Sequence, residues 1–300
     1  METNFLDKLL ADARPLAFKG QVANYIPLLG LADPQKLGLC VAEPDGALIS
    51  SGDWQERFSI QSISKILVFT LSLIDSGFDK VLEKVSIEST DDAFNSIVNL
   101  ETKNNHRPLN PLINAGAIVC LTLIDGKNMH EKFTRVLEFT RLLARNSSIE
   151  VDEDIYLSEK ATAARNRALT YYMLSTGAIE GDVEAILDAY FRICSMMVTC
   201  ADLARIALVY AQGGAGFFPK EIARTVKAAM CVCGMYDESG QVAVEVGLPT
   251  KSGVGGGLLS VAPNRFGIGI YGPALTDKGS SVAGLEVLKK LSKELDLSIF

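Results

Sequence analysis

The chain reads as an α/β (α+β) protein, with an antiparallel sheet of about five strands, flanked by terminal helices and carrying a helical subdomain. Three observations predict this. Apolar residues alternate at period two near both ends, they recur at three-and-four spacing through the middle, and helical stripes mark both termini.

The opening stripe spans residues 1–17 and stops by Gly20. Residues 37–41 and 47–51 then flank Glu43-Pro44-Asp45-Gly46, a turn-forming run that signals a hairpin. From 62 to 212 the spacing is helical, with stop signals at Gly77, Gly126, Gly177 and Gly213-Gly214. Period two returns at 241–246, 257–261 and 266–271, which predicts three further strands between Gly, Pro and Asn punctuation. A last helix places Leu285, Leu288, Leu291 and Leu295 on one stripe, with Lys289, Lys290, Lys293 and Glu294 off it. The expectation is a single catalytic unit over 1–300. Residues 1–61 and 213–300 form its sheet-bearing part and 62–212 its mostly helical part, with an active site at the seam.

At 300 residues, 48% hydrophobic and 22% charged, the chain is long enough to bury a full core. A net charge of -7 without clustered Lys or Arg excludes a nucleic-acid surface. No apolar run reaches eighteen residues, so no membrane partner is expected. Residues 1–17 carry Asp7, Lys8 and Asp12 where a secretory leader has an unbroken apolar run, which predicts a cytoplasmic protein. Six cysteines without framework spacing read as reduced thiols. The two histidines, His106 and His130, lie far from the Cys231-x-Cys233 pair, so no metal and no cofactor is expected.

Where the first β segment hands over to the helical region stands Phe58-Ser59-Ile60-Gln61-Ser62-Ile63-Ser64-Lys65, which contains Ser-x-x-Lys. The pattern is common by chance and its position gives it weight. An apolar helix follows, so Ser62 stands at a helix N-terminus with Lys65 one turn on and on the same face. The helix dipole favours negative charge on the serine oxygen, and Lys65 is in reach of its proton once burial and a second cation hold the amine neutral. Lys251-Ser252-Gly253 supplies that cation and resembles the Lys-Thr-Gly element of penicillin-recognising enzymes. Gly253 lets a strand edge approach a substrate, and the Val254 N–H is a candidate oxyanion donor beside that of Ser62.

Further runs make the chain similar to the serine-dependent glutaminases. They are Gln61-Ser62-x-x-Lys65, Asn110-Pro111-Leu112-Ile113-Asn114-Ala115-Gly116-Ala117-Ile118, Ser158-Glu159 with Arg165-Asn166, Ala189-Tyr190-Phe191, Cys233-Gly234-Met235-Tyr236-Asp237 and Gly247-Leu248-Pro249-x-Lys251-Ser252-Gly253-Val254. The resemblance covers roughly residues 20–275. It implies a serine β-lactamase-like fold and hydrolysis of L-glutamine to L-glutamate and ammonia. Ser62 is then the nucleophile, Lys65 its base and Tyr236 an aid to proton transfer. The substrate-holding positions it implies are Tyr25, Gln61, Asn114, Glu159, Asn166, Tyr190, Tyr236 and the backbone of Val254, and it suggests a homodimer or homotetramer.

A free amino acid presents an ammonium and a carboxylate, which calls for an anion such as Glu159 and neutral donors such as Asn114, Asn166 and Tyr190. One helix over 158–174 would carry Glu159 and Asn166 two turns apart on one face. The alternative reading is a β-lactamase or penicillin-binding-like serine hydrolase, which shares the nucleophile, base and strand glycine, although the chain lacks the Ser-Asp-Asn element.

Overall fold

A computed structural model describes residues 2–89, 95–102 and 106–300. The first helix, α1 (Thr3–Ala13), leads through a 3-10 turn to the hairpin of β1 (Gly38–Ala42) and β2 (Leu48–Gly52). In its turn the Glu43 N–H donates to Ala47 O and the Gly46 N–H to Glu43 O, with Gly46 at a φ of 89°. A short strand β3 (Phe58–Ser59) and a 3-10 turn over Gln61–Ile63 then feed α2 (Ser64–Lys84). Every side chain of α2 from Ser64 to Leu73 is buried, as expected of a helix apolar on nearly all sides. Gly77, a predicted stop, is instead a kink at φ 78° inside this helix.

The helical stretch continues with α3 (Val98–Thr102), α4 (Asn114–Thr122), α5 (Met129–Ala144), α6 (Glu153–Thr162), α7 (Ala164–Ser175), α8 (Val183–Cys194), the short strand β4 (Met197–Val198), α9 (Cys200–Ala211) and α10 (Lys220–Cys233). The chain ends in α11 (Ser239–Glu245), β5 (Thr250–Ser252), β6 (Gly257–Ala262), β7 (Phe266–Tyr271) and α12 (Val282–Glu294).

The five-stranded sheet is antiparallel throughout, in the order β2-β1-β7-β6-β5. Its centre is written in β7, Phe-Gly-Ile-Gly-Ile-Tyr. Ile268 and Ile270 face the layer of α1 and α12 beside Leu6, Leu10, Leu288 and Leu291. Gly267 and Gly269 face α9, and a Cβ at Gly269 would stand 2.1 Å from Cys200 O. The helix backbone therefore lies directly on the strand. A second pairing, Phe58 with Val198 and Ser59 with Met197, ties the approach to Ser62 to the segment after α8.

Two sequence expectations change. Residues 241–245 are helical and Val246 caps the helix: Val242 and Val246 are buried at i, i+4, Val244 is 89% exposed, and the Val246 N–H donates to Val242 O at 2.8 Å. A Val-x-Val-x-Val run satisfies both periods, and here the four-residue one wins. The fifth strand is Thr250–Ser252, which carries Lys251. Residues 158–174 form two helices, because the chain breaks at Ala163 (φ -86°, ψ 30°), so Glu159 lies on α6 and Asn166 on α7. Among the described residues, no helix is long and apolar enough to cross a membrane.

Candidate active site

The turn that carries Ser62 is made by Gln61, whose φ of 47° is a left-handed conformation uncommon for a residue with a side chain. Gly253 and Gly257 allow the tip of β5 and β6 to close on this turn. A Cβ at Gly253 would lie 2.8 Å from Ile60 O, and one at Gly257 2.8 Å from Ile63 Cδ1. The hairpin tip holds itself through Gly253 N–H to Gly257 O and Gly256 N–H to Gly253 O, and neither bond uses the Val254 N–H.

Lys65 follows one turn into the helix, fully buried, with its Nζ 2.7 Å from Ser62 Oγ and 2.8 Å from Asn114 Oδ1. Burial pulls its pKa down to about 8, with Cys194 and Glu159 opposing the fall. Lys251 is also fully buried. Its ammonium donates to Ser252 O and stands 4.1 Å above the Tyr236 ring, with Lys65 Nζ 5.8 Å from the same ring. Burial and the Lys65 charge together hold Lys251 well below an ordinary lysine. Tyr236 has a φ of 55°, and burial raises its phenol pKa while a hydrogen bond to Ser62 opposes the rise.

Asn114 opens α4 because the run before it folds back. Asn110 Oδ1 accepts the N–H groups of Leu112 and Ile113, and its amide donates to Glu88 O. A Cβ at Gly116 would lie 1.9 Å from Asn110 O, so this close return requires the glycine. Asn114 then bridges three helices. Its Oδ1 accepts from Lys65 and from Tyr190 Oη at 3.2 Å, and its Nδ2 donates to Asn166 Oδ1 at 2.8 Å.

Glu159 projects from α6 into the same space and accepts from Gln61 Nε2 at 3.4 Å. Burial pushes its pKa up to about 7 against the Gln61 hydrogen bond and the Lys65 charge. None of the ion pairs among the described residues includes it. A desolvated carboxylate with no cation in contact is poised for a cationic ligand. Tyr25 closes the mouth with half its surface exposed, while its hydroxyl end is buried near Glu159 and has a raised pKa.

Tyr25, Gln61, Ser62, Asn114, Glu159, Asn166 and Tyr190 line one cavity. Tyr236 and Val254 line an adjoining one that shares Tyr25. The sequence reading did not single out Ile26, Arg165 or Cys194, which line the first cavity. Cys194 was within reach, since it stands four residues after Tyr190 on α8. Arg165 donates from Nε to Asn95 O and had no signal beyond its place beside Asn166. All six cysteines are free thiols, and no group of three or more His, Cys, Asp or Glu side chains converges among the described residues.

The family model described as Glutaminase matches residues 20–300. A glutaminase of Clostridium botulinum (strain Loch Maree) is 50% identical, covering 98% of this chain and 99% of its own length. Glutaminase 2 of Clostridium perfringens is 48% identical over 99% of both. Among solved structures, a probable glutaminase from Bacillus subtilis superposes with a TM-score of 0.93 at 38% identity, covering 99% of this chain and 97% of that one. The Bacillus subtilis enzyme in covalent complex with 5-oxo-L-norleucine, formed by reaction with 6-diazo-5-oxo-L-norleucine, gives a TM-score of 0.91 at 38% identity over 99% of both chains. With a family match over nearly its whole length, and relatives at half identity end to end, this chain belongs to the glutaminase family.

Proposed function

We propose that this glutaminase hydrolyses L-glutamine through a covalent acyl-enzyme on Ser62. The observation that carries the reading is the Lys65 Nζ to Ser62 Oγ distance of 2.7 Å, with the amine buried and its pKa lowered to about 8. Neutral Lys65 takes the Ser62 proton as the oxygen attacks the side-chain amide carbon. The carbon–nitrogen bond then breaks, and the leaving nitrogen takes a proton relayed by Lys65 and Tyr236 and departs as ammonia. Water then attacks the ester as Lys65 takes one of its protons, the ester carbon–oxygen bond breaks, and Lys65 passes that proton to the departing Ser62 oxygen, releasing L-glutamate and restoring the neutral amine. The backbone N–H groups of Ser62 and Val254 are the oxyanion donors in this reading.

The α-ammonium of glutamine pairs with Glu159, which restores an ion pair to a carboxylate that burial otherwise penalises. Asn114, Asn166, Tyr190 and Tyr25 serve as neutral hydrogen-bonding groups for the amino-acid end, with Gln61 beside Glu159. The Lys251 amine packs over the Tyr236 ring at 4.1 Å and Gly253 keeps the wall thin. One core cluster runs from α2 and α8 through α9 to β6, which supports a single catalytic unit with its site at the seam of the helical and sheet-bearing parts. The six free thiols support a cytoplasmic setting. A homodimer or homotetramer rests on the family alone, and light scattering decides it.

The test is ammonia release from L-glutamine, with L-asparagine and a chromogenic β-lactam in parallel, on wild type and Ser62→Ala. Release from glutamine that disappears in the variant supports the reading. Turnover of the β-lactam without glutamine hydrolysis would replace it with a penicillin-recognising activity.

A further inference from the structure

On the outer side of the helices that carry Glu159 and Tyr190 lies a polar cluster with no place in the chemistry above. Asp188 of α8 accepts from two groups on α6 with one oxygen, Oδ1: the Tyr156 hydroxyl, and Lys160 Nζ at 2.5 Å. Its other oxygen accepts from Arg192 Nε at 3.1 Å, and Arg192 also reaches back to Glu153 at the start of α6 and lies 4.1 Å over the Tyr156 ring. We infer that Asp188 is a positioning residue for the substrate's α-ammonium, acting through α6 to hold Glu159 in its buried place opposite Tyr190.

The need for such a clamp follows from the helix itself. α6 has only ten residues and ends at the Ala163 break, and its apolar anchors are few: Tyr156 in the main core and half-buried Ile155 against the small cluster of Ile26, Leu29, Val254 and Leu275. Its second buried residue, Glu159, is a carboxylate that gains hydration if the helix tilts outward, so it works against its own placement. Tyr156 and Lys160 stand one turn apart on α6 and grip the same Asp188 oxygen, which fixes both the height and the rotation of the helix. Asp188 lies two residues before Tyr190, so the tie runs straight to the helix that holds Asn114 by hydrogen bond. Partly buried ion pairs in a connected network restrict geometry better than isolated exposed ones.

The inference rests on the reading that Glu159 binds the ammonium, and Glu159→Gln tests that reading separately. The experiment is steady-state glutamine hydrolysis by Asp188→Asn and by Tyr156→Phe, which removes one hydroxyl and leaves the Lys160–Asp188 pair, each with KM, kcat and a pH profile. For Asp188→Asn the expected result is a rise in KM of about tenfold with kcat changed less than about threefold. The Glu159 component of the acid limb of kcat/KM should also move from about 7 toward an ordinary carboxylate as Glu159 gains water, while the Lys65 component near 8 stays. The charged and titratable groups that face Glu159 are Lys65, Tyr25, Tyr190 and Cys194, and those facing Asp188 are Lys160, Tyr156 and Arg192. Neither substitution removes any group of the first set. Tyr156→Phe should show the same changes in smaller degree. An unchanged KM and acid limb, with or without a lower Tm, would overturn the inference, as would a fall in kcat alone. If Asp188→Asn does not fold, the Tyr156→Phe result decides by the same criteria. If KM rises in Asp188→Asn but not in Glu159→Gln, the fault lies in the Glu159 reading.

Discussion

Burial governs how the two ionisable groups at the centre of the site titrate, and the consequences can be measured. In the proposed mechanism Lys65 accepts a proton and so must be neutral, and its pKa of about 8 means that the competent fraction grows as pH rises through that value. In the same proposal Glu159 holds the ammonium and so must be ionised, and that fraction grows through about 7. A plot of log kcat/KM against pH should therefore rise with a slope above one below pH 7 and flatten above about 8. In Glu159→Gln the slope should drop to one, and the limb should move below pH 8, because the carboxylate that raises the Lys65 pKa is gone. The same shift has a stability side. A carboxyl whose folded pKa lies above its unfolded value of 4.5 favours the fold below that pH and loses the contribution as pH climbs through about 7. Glu159→Gln should accordingly be more stable than wild type at pH 8, by on the order of 2 kcal/mol, with a smaller difference at pH 5, measured by urea unfolding. At this scale the contact between Ser62 and Lys65 was legible, since a three-residue spacing at a helix entrance brings two side chains together by geometry alone. Asn114 as the hub that joins Lys65, Tyr190 and Asn166 was not, because it depends on the fold of three helices.

At the scale of elements, two glycines set how closely backbones meet. Gly116→Ala would drive a methyl into Asn110 O and displace the start of α4 that holds Asn114. Glutaminase activity should fall by at least about tenfold in this variant even where circular dichroism stays native, since a small misplacement of a site residue costs that much or more. Gly269→Ala meets Cys200 O on α9, away from the chemistry. It should lower stability by about 1–3 kcal/mol, the usual cost of overpacking, with kcat of the remaining folded enzyme close to wild type. The alternating glycines of β7 were visible as a strand, although the sequence could not say that α9 lies on them. The helix at Ser239–Glu245 was misread because three valines at every second position also place two of them one helical turn apart. The break at Ala163 carries neither Gly nor Pro, so nothing local announced it.

For the whole molecule, the order of helix, hairpin, helical insert, strands and closing helix could be read because the hydrophobic period changes where the architecture changes. The three-residue strand with Lys251 is too short to show a period, and the residue is marked instead by the likeness of Lys251-Ser252-Gly253 to the Lys-Thr-Gly element. Because one apolar cluster joins α2, α8 and α9 to β6, the helical and sheet-bearing parts should unfold together. Differential scanning calorimetry should give one transition, and two resolved transitions would divide the chain into independent domains. The proposed mechanism turns on which atom carries the acyl group. Treatment of the intact protein with 6-diazo-5-oxo-L-norleucine, followed by peptide mass spectrometry, tests this most directly. A single adduct is expected on the peptide containing Ser62, absent from Ser62→Ala. An adduct on Cys194, the thiol that lines the same cavity, with Ser62 unmodified, would contradict that mechanism.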